Sequence, residues 1–216
     1  MANYLIIGGH GKVALLASKI LADEGHTVTS MIRNPDHSND IKATGAEAVV
    51  LDVEHASKKD LVDSMRGMDA VIWSAGAGGG NPARTKAVDL DAAVLSMEAA
   101  KQAGVDRYIM VSYLHSRLDH GIPETEPFYT YAQSKAEADE HLRGSGLDYT
   151  ILGPGLLTLE DATGKITVHD TGATENTETS RANVALTIAA ALRSPGSIGK
   201  TIGYSDGETP IDEAIS

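Results

Sequence analysis

The sequence contains no cysteine. That absence removes disulfides, thiolate metal sites and a cysteine nucleophile together, and it is compatible with a reducing cytoplasm. No run of Lys and Arg occurs, and 18 basic against 30 acidic residues leave a net charge of −12. Phosphate backbones are held by clustered positive charge, so a nucleic-acid surface is not expected. No apolar run reaches the ~18 residues of a membrane span, so no membrane partner is expected. The opening residues Met1–Ile7 lack a basic stretch before a long apolar core and read as a first strand, not a signal peptide. The eight histidines form no His-x-x-x-His or His-Glu pair at metal spacing, and no metal site is expected.

What is present has the usage of an ordinary globular chain: 216 residues, 42% hydrophobic and 22% charged. That length fits one large domain better than two. Short apolar runs alternate with helical periodicity. Tyr4–Ile7, Thr27–Ile32, Ala48–Leu51, Ala70–Ser74, Tyr108–Ser112, Leu147–Leu152 and Thr201–Tyr204 read as strands. Val13–Leu21, Leu61–Met65, Ala87–Ala103, Tyr131–Leu142 and Arg181–Leu192 read as helices, several ending at glycine. Pro154 is expected to break the strand before it. Continuous apolar strands between amphipathic helices predict a parallel sheet covered on both faces.

The first strand runs into Gly8-x-x-Gly11-x-x-Ala14, which opens the first helix. Glycines there permit a tight turn and let the backbone approach a pyrophosphate, whose charge suits the free N–H groups of a helix start. This predicts a Rossmann-type doubly wound α/β fold, a single domain over 1–216 with substrate-side loops at 156–180. Gly8, His10, Gly11, Lys12 and Val13 are the candidate phosphate contacts. The second strand ends in Ile32-Arg33-Asn34-Pro35. Ile32 stands where an NAD-selective site would carry an acid, and Arg33 suits a 2′-phosphate, with Lys12 as a second positive charge. NADP is therefore preferred over NAD. Asp52-Val53 either reaches the adenine or is a polar strand end. The run Ala75-Gly76-Ala77 through Gly80 needs glycine either for close approach to a cofactor or for flexibility.

Taken together, these segments resemble the atypical short-chain dehydrogenase/reductase proteins, in particular the small flavin/biliverdin reductase-like and NmrA-like members. The resemblance covers nearly the whole chain. It rests on Gly8–Ala14, Ile32–Pro35, Asp52-Val53, Ser74–Gly79, Gly104–Tyr108 into Val111-Ser112, and Tyr131–Asp139. It continues through Ser145–Thr150 into Gly153-Pro154-Gly155, and Arg181–Ala185. It implies NADP(H) along the C-terminal edge of the sheet, with Lys135 and Pro154 among the cofactor contacts.

The resemblance also implies a catalytic set. Tyr131 and Lys135 are four apart on one helical face. In that family the tyrosine is the acid/base, and a nearby ammonium would stabilise its phenolate. Ser112 is the expected hydroxyl donor to the substrate, although Tyr113 follows it where the family often has a second hydroxyl residue. Either Ser112 serves, or Tyr113 replaces it, or the site is degraded, and Lys135 alone would still hold the cofactor ribose. His10 and His115 read as loop residues. Thr158–Asp170 and Glu175–Ser180 read as a rim around the substrate. The expected activity is an NADP(H)-dependent oxidoreductase acting on a small carbonyl or alcohol, as a monomer or homodimer in the cytoplasm. A cofactor sensor without turnover and an epimerase/dehydratase are the alternatives.

Overall fold

Leu5, Ile6 and Ile7 are wholly excluded from solvent, and their alternation sets the layers of the molecule. Tyr4 and Ile6 join one apolar cluster, Leu5 and Ile7 another. A strand apolar on both sides requires cover on both sides. The protein is described by a computed structural model covering residues 1–78, 80–169 and 178–216. Strands β1 (Asn3–Ile7), β2 (Thr27–Ile32), β3 (Glu47–Val50), β4 (Ala70–Trp73), β5 (Arg107–Val111) and β6 (Asp148–Pro154) pair in parallel. Helices α1 (Lys12–Asp23) and α7 (Arg181–Arg193) pack together, as do α3 (Lys58–Met65) and α5 (Ala93–Ala103). Ala17, Leu21 and Ile188 belong to the cluster of Ile6, and Leu61 and Met97 to that of Leu5.

With β8 (Lys165–His169), β10 (Lys200–Asp206) and β11 (Thr209–Pro210) included, the strand order runs β11-β8-β10-β6-β5-β4-β1-β2-β3. From β1 the chain first builds outward through β2 and β3, then returns to the other side at β4. This reversal opens a crevice beyond the carboxyl ends of β1 and β4, where ligands bind in doubly wound sheets. No helix among the described residues is long and apolar enough to cross a membrane.

Four features depart from the sequence reading. The strand read as far as Leu152 continues two residues and ends at Pro154 itself, since a parallel strand end requires only the proline carbonyl. That carbonyl accepts from Leu114 N at 2.8 Å. The region 156–180, expected as loops, contains β7 (Leu156–Thr158), β8 (Lys165–His169) and β9 (Glu178–Ser180). β7 and β9 form a separate parallel pair, while β8 joins β10 (Lys200–Asp206) and β11 (Thr209–Pro210) antiparallel. The sheet is therefore mixed at this edge. Thr and Lys disguise β8, whose Ile166 is fully buried. Of the acidic stretches, residues 170–177 lie outside the described residues, as does Gly79.

The helix expected over 87–103 is present but begins earlier, at Pro82, and runs without interruption through α4 (Pro82–Thr85), a π turn (Lys86–Ala92) and α5. A π turn widens the helix locally and often marks a functional site. Here it carries the buried Asp89. The turn after Arg33 leads through Pro35–His37 into α2 (Ser38–Ala43), a helix the apolar periodicity did not signal.

At the start of α7, buried Asn183 fastens the C-terminal edge. Its amide donates to Asp206 Oδ1 at 2.7 Å and Thr163 Oγ1 at 2.9 Å, and its carbonyl accepts from Gly164 N at 2.9 Å. Asn183→Ala would strand these buried groups together, so we expect ~2–4 kcal/mol of lost stability. Urea unfolding measures it, and a loss under ~0.5 kcal/mol would show that water replaces the amide.

Candidate functional site

Gly8 ends β1 with φ +84°, and a Cβ there would lie 2.5 Å from Ala75 Cα. A Cβ on Gly9 would lie 2.6 Å from Ser30 Cβ. These two glycines bring the loop against β4 and β2. Gly11 differs: its φ is −63°, and an added Cβ would meet only Gly8 O, at 3.3 Å, as a tight contact. Its role lies on the side facing the crevice. Helix α1 begins there with no side-chain cap and no acid in its first turn, so its free N–H groups are available to an anion.

Three cavities follow one another along this edge. The inner one, of about 330 Å³, is lined by Gly8, His10 and Gly11 of the loop and by Ala75, Gly76 and Ala77 after β4. Arg33, Asp52 and Val53 form its far side. Arg33 is exposed, and its guanidinium has no hydrogen bond or ion pair among the described residues. His37, which the sequence reading passed over, joins this wall. Its ring stacks on His10 at 3.5 Å, and His10 Nε2 pairs with Asp40 at 2.8 Å. The Asp52 carboxylate is turned back onto Glu54 N at 3.1 Å. Asp52, Glu54 and His55 place ligand atoms within 4.8 Å of one another, a cluster that histidine spacing did not indicate. Glu54 is already paired with Arg84 at 2.9 Å.

The middle cavity, of about 340 Å³, shares Gly11, Ser74, Ala75 and Gly76 with the inner one. Lys12 and Val13 line it. Lys12 was expected beside Arg33, but it lines this cavity and not the inner one: the first turn of α1 carries it past the loop. Helix α6 (Tyr129–Gly144) contributes Tyr131 and Lys135, and behind them Asp139, on one face at spacings of four. Lys135 is buried, and its ammonium donates to Val111 O at 2.8 Å and to Met110 Sδ at 3.4 Å. Burial lowers its pKa, opposed by the carboxylates of Asp139 and Asp89. Burial likewise raises both carboxyls, opposed first by that ammonium. Asp89 accepts from Ala77 N at 3.0 Å. Asp139 Oδ2 accepts from Ser112 Oγ at 2.5 Å and Ser116 Oγ at 2.6 Å, while Oδ1 has no partner.

This network also bears on the Tyr131 phenol. The Tyr131 phenol is shifted upward, by burial first and then by Asp89, Tyr113 and Asp139. The Lys135 ammonium does not lower it, because that charge is turned to the Val111 carbonyl and offset by two acids. Burial thus favours the neutral form of the Tyr131 hydroxyl. The Ser112 hydroxyl is committed to Asp139.

The outer cavity, of about 500 Å³, shares Ser112, Tyr131, Leu157 and Arg181 with the middle one. Pro154, expected among the cofactor contacts, stands at the end of β6 and lines this outer cavity and neither of the others. Tyr113, Phe128 and Tyr131 form a triangle of rings with centroids 5.2–5.6 Å apart. Burial pushes the Tyr113 phenol up to about 12. His115 is at the rim with a left-handed φ of 66°. Asp89 and Arg181 carried no recognisable signal as site residues, whereas Asp139 could have been found by extending the Tyr131–Lys135 spacing one more turn.

The NAD(P)H-binding family model matches residues 8–195. An uncharacterized sugar epimerase of Bacillus subtilis, YhfK, is 35% identical over 213 residues, 97% of each chain. A solved Bacillus halodurans structure, provisionally assigned as an NAD-dependent epimerase/dehydratase, is 32% identical with a TM-score of 0.90, covering 100% of this chain and 99% of its own. The oxidoreductase ylbE of Lactococcus lactis is 32% identical with a TM-score of 0.86, covering 99% and 94%.

Two expectations follow from the geometry. Gly11→Val should abolish nicotinamide dinucleotide binding in calorimetry while leaving the thermal transition in place, whereas Gly8→Ala should lower the transition itself. Normal binding by Gly11→Val would mean that the loop is only a turn. The second concerns pH. Asp139 has a folded pKa above its unfolded 3.8, so its stabilisation is complete below that value and is lost as pH rises through the raised folded pKa. Stability of Asp139→Asn relative to the parent, from urea midpoints, should therefore improve across that window. A flat difference would show that Lys135 fully offsets the burial.

Proposed function

The chain belongs to the NAD(P)H-binding family, and from that premise we propose that it is an NADP(H)-dependent oxidoreductase acting on a small carbonyl or alcohol substrate. The observation that carries the reading is the continuity of the cleft. Gly11 belongs to both the inner and middle cavities, and Tyr131 to both the middle and outer. A dinucleotide lying along the first two would end at the wall where the third begins.

The residues fit such a group. The loop leaves a cradle at Gly11 that a branched side chain would fill, with the uncapped start of α1 behind it. Those N–H groups and Lys12 would hold the pyrophosphate, and Arg33 with its free guanidinium would hold the 2′-phosphate. When bound, the nicotinamide supplies the hydride chemistry. Tyr131, held neutral by burial, would donate its proton to the substrate oxygen. Lys135 and Asp139 would act from behind, fixing the helix face that presents the phenol. Ser112 would orient the substrate only if its hydroxyl leaves Asp139.

A second reading has its own support. Lys135 and Ser112 are both committed to protein partners, which suits a cofactor-sensing protein without turnover. The epimerase names of the relatives suggest a third. Tyr113, Phe128, Leu156 and Leu157 around the outer cavity provide few partners for sugar hydroxyls, which weighs against it.

NADPH should bind at least about tenfold tighter than NADH, the effect of one charge-assisted phosphate contact of ~1.5–3 kcal/mol, and Arg33→Ala should remove most of that preference. Equal or tighter NADH binding in calorimetry would reject the selectivity. With a substrate found by following NADPH absorbance, Tyr131→Phe should slow the chemical step by ~10²–10⁴-fold at unchanged cofactor affinity. Full activity would remove Tyr131 from the chemistry, and loss of affinity alone would favour the sensor.

A further inference from the structure

Arg181 is the only Lys or Arg lining the outer cavity among the described residues, and no Asp or Glu lines it with Arg181. In a chain with 30 acidic residues this is an unusual wall. The guanidinium is held in place by one nitrogen, Nη1, which donates to Leu157 O at 2.9 Å and Thr158 O at 2.7 Å. Its remaining N–H groups have no hydrogen-bond or ion-pair partner among the described residues. Arg181 is also the first residue of α7, the end of a helix where a positive charge is disfavoured, and no acid in that first turn compensates it. A fixed, uncompensated guanidinium facing a cavity is matched by a carboxylate, which it meets with two parallel hydrogen bonds.

The cavity also has a direction. Arg181, Ser112 and Tyr131 lie on the wall shared with the middle cavity, whereas Tyr113, Phe128 and Leu156 line the outer cavity alone. The charged group and the hydroxyls therefore stand together at the inner end, and the apolar surface extends outward. The chain has nine aromatic residues of the Phe, Tyr and Trp types, 1 Phe, 7 Tyr and 1 Trp, and three of them, including the only Phe, make the ring triangle here. Offset and tilted rings with centroids about 5 Å apart present faces and edges on which a further flat ring can pack.

We propose that the outer cavity takes an organic acid whose carboxylate lies next to its reacting carbon and whose tail is aromatic or otherwise bulky and apolar, as in an aryl 2-oxo or 2-hydroxy acid. Arg181 binds the carboxylate, which sets the adjacent oxygen toward Tyr131, and Phe128 and Tyr113 take the tail. The inference rests on reading this cavity as the substrate end of the dinucleotide cleft. Arg181 is a binding residue that fixes the class of substrate, and its charge counters the repulsion an anion meets from a protein of net charge −12.

The test is calorimetric titration with 3-phenyllactate and with 1-phenyl-2-propanol, which replaces the carboxylate by a methyl group. Titrations are run with NADPH-saturated protein, where neither compound can react, and with the protein alone. We expect phenyllactate to bind at least about tenfold more tightly, the effect of one charge-assisted bidentate contact. Arg181→Gln, whose amide can still donate to the two carbonyls, should erase that preference at unchanged melting temperature and NADPH affinity. Arg181→Lys should restore part of it, and Phe128→Ala should weaken both compounds alike. Equal binding of the pair, binding of neither, or a preference surviving Arg181→Gln would overturn the proposal. So would a loss in Arg181→Gln confined to NADPH affinity, since Arg181 would then serve the cofactor. Phenyllactate binding without NADPH binding would uphold the acid pocket and reject the cofactor reading instead. NADPH oxidation by neutral ketones with no preference for their carboxylate counterparts would do the reverse.

Discussion

The ammonium of Lys135, enclosed with Asp89 and Asp139 and turned onto the carbonyl of Val111, ties together the elements that form the cleft. Two acids face one buried base, and burial raises both carboxyls while it lowers the ammonium. Charge balance in that space favours a proton on one of the acids, because an unmatched buried charge is costly. Each member holds something further out. Asp89 holds the backbone of Ala77, Asp139 holds the hydroxyls of Ser112 and Ser116, and Lys135 holds the end of β5. The π turn at Lys86–Ala92 belongs to the same arrangement, since it is the segment that carries Asp89 inward.

Along the cleft the chemistry changes from charged to apolar. Glycines at the inner end let the chain approach a ligand with its backbone, and the Gly8–Ala75 contact leaves no room for a side chain. In the middle, hydroxyls and buried ions meet. At the outer end three aromatic rings and aliphatic residues take over. Of the cations on this path, Arg84 is paired with Glu54, whereas Lys12, Arg33 and Arg181 have no carboxylate partner among the described residues, while many surface cations are paired with acids. A strongly acidic protein thus presents three cations without a carboxylate partner along one cleft. Local charge of that sign raises the concentration of anions there despite the overall field.

The elements of the fold were legible because each follows from a local pattern. A strand buried on both faces is a short apolar run, as at Thr27–Ile32, and an amphipathic helix repeats its apolar residues, as in α1. Gly8 and Gly11 could be read for the same reason, since a turn and a helix start are consecutive in sequence. Where local polarity misled, a distant partner was responsible. Threonine and lysine hid β8, which is a strand because the exposed edge of β10 needed pairing. Pro154 stays in β6 because the neighbouring segments use its carbonyl and have no need of a donor there.

The sequence by itself therefore determined the parallel core strands with their main helices, the glycine loop after the first strand and the spacing that puts Tyr131, Lys135 and Asp139 on one helical face. These depend only on spacing within a single element. The tertiary structure decided which charge meets which. It took Lys12 away from Arg33, brought His37 beside it, and turned Lys135 from the phenol of Tyr131 to the carbonyl of Val111. It also left Arg181 on the same cavity wall as the ring triangle, with no acid lining that cavity among the described residues. Ionisation and pairing depend on distance and on the exclusion of water, and both arise only when segments far apart in the chain are packed together.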